Sequence, residues 1–208
     1  LVARRGALMQ ALPHGSMLSV RMDAEELERI MPESLSLAAH NGPSACVIAG
    51  PTAAIESFAT TLTKDGFVTR SLRTSHAFHS SMMEPAVAPF RELVVKIALS
   101  PPKMAIISTL TGKRMQAADA TDPGYWASHL REPVRFSPAI RTALALNPGG
   151  DLAFLEVGPR GTLSTLIRQH TKTGAPMPIA IPSLADGTDT ELAAIQLAMG
   201  QLWTYGIE

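Results

Sequence analysis

The stretch SMLSVRMDAEELERIMPESLSLAAHNGPSACVIAG, Ser16 to Gly50, switches between strand and helix patterning within a few turns of chain. MLSVRM (Met17 to Met22) alternates as a half-buried strand does. Asp23 followed by Glu26 is a capping-box pattern, which starts a short helix running through Ile30. SLSLAA (Ser34 to Ala39) reads as a second strand. NGPS (Asn41 to Ser44) is turn chemistry leading into a third, ACVIAG. Thr52 to Lys64 is amphipathic, and Asp65 with Gly66 stops it before a fourth strand, FVTRSLR. The order β-α-β-β-α-β is that of a ferredoxin-like unit, complete between Ser16 and Arg73.

Outside that cycle the pattern becomes a larger α/β alternation. Leu1 to Leu12 is helical, ended by Pro13, His14 and Gly15. Met82 to Leu99 is helical, with Pro85 and Pro89 tolerable only in the first turns or at a kink. MAIISTLTG (Met104 to Gly112) reads as a strand, DPGYWASHLREPVRF (Asp122 to Phe136) as a short helix and loop, and Ser137 to Leu146 as a helix. DLAFLEVGP (Asp151 to Pro159) is a buried strand running into a glycine turn before a helix from Thr162. Pro178 to Leu184 is another strand, and Thr190 to Tyr205 a closing helix. The predicted organisation is 1–15, a helix of a large subdomain; 16–73, the ferredoxin-like small subdomain; 74–190, the rest of the large α/β subdomain; and 191–208, a C-terminal helix leading to a linker. An open sheet needs more strands than this, and the chain has no initiating methionine. The expectation is therefore that upstream residues supply the remaining strands.

Composition narrows the partners. The chain has 18 basic and 18 acidic side chains, so it lacks the cationic excess that nucleic acid or an anionic membrane requires. No apolar run reaches the ~20 residues of a membrane span, and no signal peptide is visible. The single cysteine, Cys46, fits a reducing, cytoplasmic setting and a buried structural thiol.

Chemistry concentrates in SHAFHS, Ser75 to Ser80. His76 and His79 stand where the small unit meets the next helix, a favoured place for sites. As a metal pair HxxH lacks a third ligand at suitable spacing. Either ring can be a packed histidine, and either can serve as a general base. The chain offers no G-x-S-x-G elbow, and Ser16, Ser44 and Ser164 lack that context. Arg4 and Arg5 fit a solvated helix face, but Gly6 beside Arg5 hints at close packing and at a guanidinium free to grip a carboxylate in two parallel hydrogen bonds. EVGP, Glu156 to Pro159, is turn chemistry or a strand end whose carbonyls orient a histidine.

RRGALMQ, AAHNGPSACVIAGP, SHAFHSSMMEP, DPGYWASHLREPVRF, FLEVGP and AMGQLWTYGIE, in that order, resemble the malonyl-CoA:acyl-carrier-protein transacylases, specifically the acyltransferase domain of type I modular polyketide synthases. The resemblance implies an α/β fold, a partial α/β-hydrolase-like core with a ferredoxin-like insert. It implies ping-pong transfer of a malonyl unit from malonyl-CoA to the phosphopantetheine thiol of an acyl carrier protein. The nucleophile of the family is a serine in a GHSxG elbow, expected upstream of Leu1, and the fragment alone is expected to be inactive. His79 matches the family's catalytic histidine, with a backbone carbonyl near Val157 or Gly158 as its orienting partner, and Arg5 matches the arginine that holds the malonyl carboxylate. The four residues His76 to His79 match the malonyl-type motif HAFH, which puts His76 and Phe78 at the substrate. Phe78 would fill the space an α-methyl needs, and Asn41 would face the substrate from its turn. No permanent cofactor is implied; coenzyme A enters as the thioester substrate. The implied partners are the carrier protein, the upstream remainder of the domain and a flanking ketosynthase. The same transfer in fatty-acid synthesis, and a noncatalytic scaffold or carrier-docking role, stand as alternatives.

Overall fold

The structure, a computed structural model, describes residues 1–146, 152–171, 177–187 and 190–207. It divides into two compact units, Leu1–Thr142 and Ala143–Glu208.

The first unit opens with α1 (Val2–Gln10) and then builds β1 (Ser16–Val20), α2 (Ala24–Ile30), β2 (Ser36–Gly42), β3 (Ala45–Gly50), α3 (Thr52–Lys64) and β4 (Thr69–Ser71). The strands pair antiparallel in the order β2-β3-β1-β4, the ferredoxin-like arrangement that the sequence cycle predicts. The helix α2 starts where Asp23 accepts hydrogen bonds from the amides of Glu25 (2.9 Å) and Glu26 (3.3 Å). Leu18, Val20, Leu27, Ile48, Phe58 and Leu62 form a core between the helices and one sheet face. Each such side chain, fully buried, contributes about 2 kcal/mol by removal from water.

The opposite sheet face is lined by Met17, Ala38, Ala39, Val47 and Ala49, on which Ala77, Phe78, Met82 and Val134 pack. Its small side chains let the segment after β4 lie close to the strands. Gly15 makes a close approach: a β-carbon there would stand 2.8 Å from the Ala77 Cβ and 2.9 Å from the Gly50 carbonyl oxygen. This contact seats the SHAFHS segment against the sheet.

A 3₁₀ turn at Ser81–Met83 leads into α4 (Glu84–Val94), followed by α5 (Ala117–Thr121), α6 (Pro123–Ser128) and α7 (Phe136–Leu146). Pro85 falls in the first turn of α4, where its missing N–H costs nothing, while Pro89 lies inside it. Ala86, Phe90 and Val94 of α4 pack on Ala127 and Leu130, with Leu8, Met9 and Leu12 from α1 and the residues after it against the same cluster. Two expectations fail here. Met104–Gly112 forms no strand: the Ser108 hydroxyl accepts from the amides of Leu110 and Thr111 and folds the chain into a turn, leaving one bridge between Ile107 and Arg114. Gly6 has nothing within 4 Å of where a β-carbon would be, so close packing does not explain it. The short helix α5 was not expected; Gln116 and Asp119 cap it reciprocally.

The second unit contains β5 (Ala153–Glu156), α8 (Thr162–Arg168), β6 (Ile179–Pro182) and α9 (Glu191–Thr204), with β5 and β6 parallel from Ala153↔Ile179 onward. Asp151, where the β5 strand was expected to begin, lies outside the described residues. The Glu156 carboxylate accepts from the amides of Leu163 (3.0 Å) and Ser164 (2.8 Å). Burial pushes its pKa up, but those amides and the Arg168 charge outweigh it and hold the group below its ordinary range.

Candidate active site

SHAFHS is a tight corner between β4 and α4, and His79 sits at its apex with φ of 57°. This is left-handed backbone for a residue with a β-carbon, of the kind that persists where the surroundings over-determine it. Ser80, 1% exposed, locks the corner from below: its hydroxyl donates to the Ala77 carbonyl (2.6 Å) and accepts from the Met82 amide (3.2 Å).

The His79 ring is half-buried, and its Nδ1 lies 3.0 Å from the Glu132 carbonyl oxygen. A carbonyl only accepts, so Nδ1 carries the proton and Nε2 of the neutral ring keeps its lone pair. The orienting carbonyl is therefore that of Glu132, not one near Val157 or Gly158 as the sequence reading put it. Burial lowers the His79 pKa; the Glu132 carbonyl works the other way and the Arg5 charge lowers it further, leaving it below its ordinary value.

Glu132 is held in place by its own segment. The Arg131 guanidinium bonds the carboxylates of Glu84 (2.7 Å) and Glu132 (2.8 Å). Two residues on, Val134 donates to the Ala38 carbonyl (2.9 Å) and accepts from the His40 amide (2.9 Å), attaching the segment to the outer edge of β2. The ion pairs are solvent-exposed and contribute little energy; they fix geometry.

The other expected residues divide. Arg5 is half-buried on α1, and its charge acts on His79. Among the described residues no carboxylate pairs with it. Phe78 packs on the alanine-rich sheet face, its ring centroid 6.0 Å from that of His76. His76 is 1% exposed; its Nε2 donates to the Leu12 carbonyl (3.0 Å) and its Nδ1 accepts from the Ser75 hydroxyl (2.8 Å). His14 stacks on it at 4.9 Å. With both nitrogens bonded within the protein, His76 braces the corner, and its place at the substrate rests on the resemblance alone. Asn41 is the extra residue of a β-bulge between His40 and Gly42, half-buried. Among the described residues no hydrogen bond or ion pair joins it to His79 or Arg5.

One ring that sequence reading missed belongs to the same neighbourhood. His129 follows α6, and burial lowers its pKa, with the electrostatic influence of His79 and Arg5 acting in the same direction. The signal for it lay in the HLR of DPGYWASHLREPVRF.

Among the described residues the site thus offers a clamped imidazole whose Nε2 has no hydrogen-bond partner, an arginine without a carboxylate partner, and a second neutral imidazole. Such a set can move a proton at one atom while holding a carboxylate at another. Residues 1–208 match the family model described as the acyl transferase domain. The chain is 38% identical over 212 residues to polyketide synthase GfsB of Streptomyces halstedii, covering all of this chain and 4% of that protein. It superposes on the acyltransferase domain from the second module of the salinomycin polyketide synthase with a TM-score of 0.89 at 36% identity, over 100% of this chain and 48% of that one. The acyl transferase domain of SpnD in complex with 2-(pent-4-yn-1-yl)malonyl gives 0.90 at 30% identity, over 99% and 49%. The chain thus spans about half the length of these solved domains, and by sequence and structure alike it belongs to the acyl transferase domain family.

Proposed function

We propose that this chain supplies the general base and the carboxylate clamp of an acyltransferase in polyketide biosynthesis. The enzyme moves a malonyl unit from malonyl-CoA to the phosphopantetheine thiol of an acyl carrier protein. The nucleophile is a serine outside these 208 residues, which contain no G-x-S-x-G elbow. His79 Nε2 takes the serine proton as the serine oxygen attacks the thioester carbonyl. The carbon–sulfur bond then breaks and the coenzyme A thiolate leaves with that proton. In the second half His79 takes the proton of the phosphopantetheine thiol, the thiolate attacks the acyl-serine ester, and the proton returns to the serine oxygen. Arg5 holds the free carboxylate of the malonyl group throughout.

The observation that carries this reading is the Nδ1 bond from His79 to the Glu132 carbonyl, which aligns the ring and leaves Nε2 as the base. The substituted malonyl in the SpnD structure supports the acyl class. The test uses the domain completed by an upstream half carrying the serine, with acylation followed by intact mass. His79→Asn tolerates the left-handed backbone and removes the base, and should slow malonyl loading roughly a thousandfold. Arg5→Ala should cost malonyl loading about 2 kcal/mol, or roughly thirtyfold, while sparing acetyl loading. Near-normal loading by the first variant, or equal losses in the second, rules the assignment out. A wild-type domain that loads nothing favours the scaffold reading.

A further inference from the structure

His129 sits directly after α6, whose first turn Asp122 caps through the amides of Gly124 (2.8 Å) and Tyr125 (3.1 Å). Its ring lies stacked on Trp126, with centroids 6.0 Å apart and planes at 20°, and edge-on to Tyr125 at 5.2 Å. Both aromatic partners are themselves tied down: the Trp126 indole N–H donates to the Ala120 carbonyl (2.9 Å), and the Tyr125 hydroxyl donates to Ser108. A ring clamped in this way does not turn freely to find a partner. Its Nε2 is buried and, among the described residues, has none. Leaving a buried imidazole nitrogen without a bond is costly, and such atoms call for an occupant.

Packing does not require that arrangement. A phenylalanine would stack on Trp126 equally well and strand nothing. What distinguishes the position is its company: three residues on, the Glu132 carbonyl accepts from His79 Nδ1, and the electrostatic influence of His79 and Arg5 reaches His129. We propose that His129 is a second positioning residue for the acyl group, donating its Nε2–H to the acyl carboxylate that Arg5 holds. The inference rests on the acyl-transfer reading above. Surrounded by an arginine and another imidazole, His129 stays neutral and donates one hydrogen bond without competing as a base for the serine proton.

The experiment compares wild type, His129→Phe and His129→Gln in the completed domain, with loading rates measured against malonyl-CoA and acetyl-CoA concentration. Phenylalanine keeps the stacking and removes the N–H; glutamine returns an N–H donor near the same place. The malonyl KM should rise about tenfold in the phenylalanine variant, and the preference for malonyl over acetyl should fall by the same factor. Acetyl loading should hold and the glutamine variant should recover most of the loss. An unchanged malonyl KM and preference in the phenylalanine variant, or equal impairment of both variants toward both substrates, overturns the inference. A wild-type domain that loads neither substrate overturns the acyl-transfer reading instead, and this inference with it.

Discussion

At His79 two adverse features coincide, a left-handed backbone and a ring withdrawn from water, and both point to a function beyond packing. The lowered pKa sets a sign. The neutral, base-competent form persists below the ordinary histidine range, so malonyl loading should hold as pH falls through about 6.5 and decline only below it. Stability moves in the same direction. Above the unfolded value folded and unfolded rings are both neutral; below it the unfolded chain takes up protons that folded His79 and His129 refuse. Stability should therefore drop as pH falls from about 6.5 toward the lower folded values. Loading rates and urea midpoints measured from neutral to mildly acidic pH check both, and an acid limb centred above 6.5 would contradict the lowered value. His79 as the candidate base was legible from the resemblance of HAFHS. Its partner was not, because a backbone carbonyl fifty-three positions away leaves no side-chain signature. Nor can sequence show that Leu12 and Ser75 occupy both nitrogens of His76.

Among the elements, α6 carries more of the site than its length suggests. Asp122 caps it, Tyr125 and Trp126 clamp His129, and the residues after it deliver Glu132 to His79. Replacing Asp122 by Ala should lower stability by about 1 kcal/mol. It should also weaken malonyl loading by loosening the segment that ends at Glu132. Thermal unfolding together with the loading assay would detect it; an unchanged midpoint would show that the cap is not needed. The ferredoxin-like cycle was readable because strand alternation and helix caps are local signals. Met104–Gly112 was misread for a matching reason. Its apolar alternation resembles a strand, yet pairing depends on a neighbouring edge, and Ser108 instead closes a turn on Leu110 and Thr111. α5 was overlooked because five residues give too little periodicity to register.

Across the whole molecule, the two units differ in how well their strands are secured. β1 and β3 are paired on both sides and covered on both faces. The parallel pair of β5 and β6 has no third described strand, and Leu155 and Val157 are 44% and 85% exposed. A two-stranded arrangement of that kind has little stability of its own. Amide exchange followed by mass spectrometry should find β1 and β3 the slowest to exchange and β5 and β6 much faster. The reverse order would mean that the second unit is secured by something the strand pairing does not reveal.

The bridge between Val134 and the outer edge of β2 links these scales. The strand that carries Asn41 and the chain that presents the Glu132 carbonyl are stitched by two backbone hydrogen bonds, two residues from the carbonyl itself. A displacement of the small sheet would carry that carbonyl with it and change the tilt of the His79 imidazole. If His79 is the base proposed above, proton transfer would be geared to the posture of a sheet that contributes none of the reacting atoms.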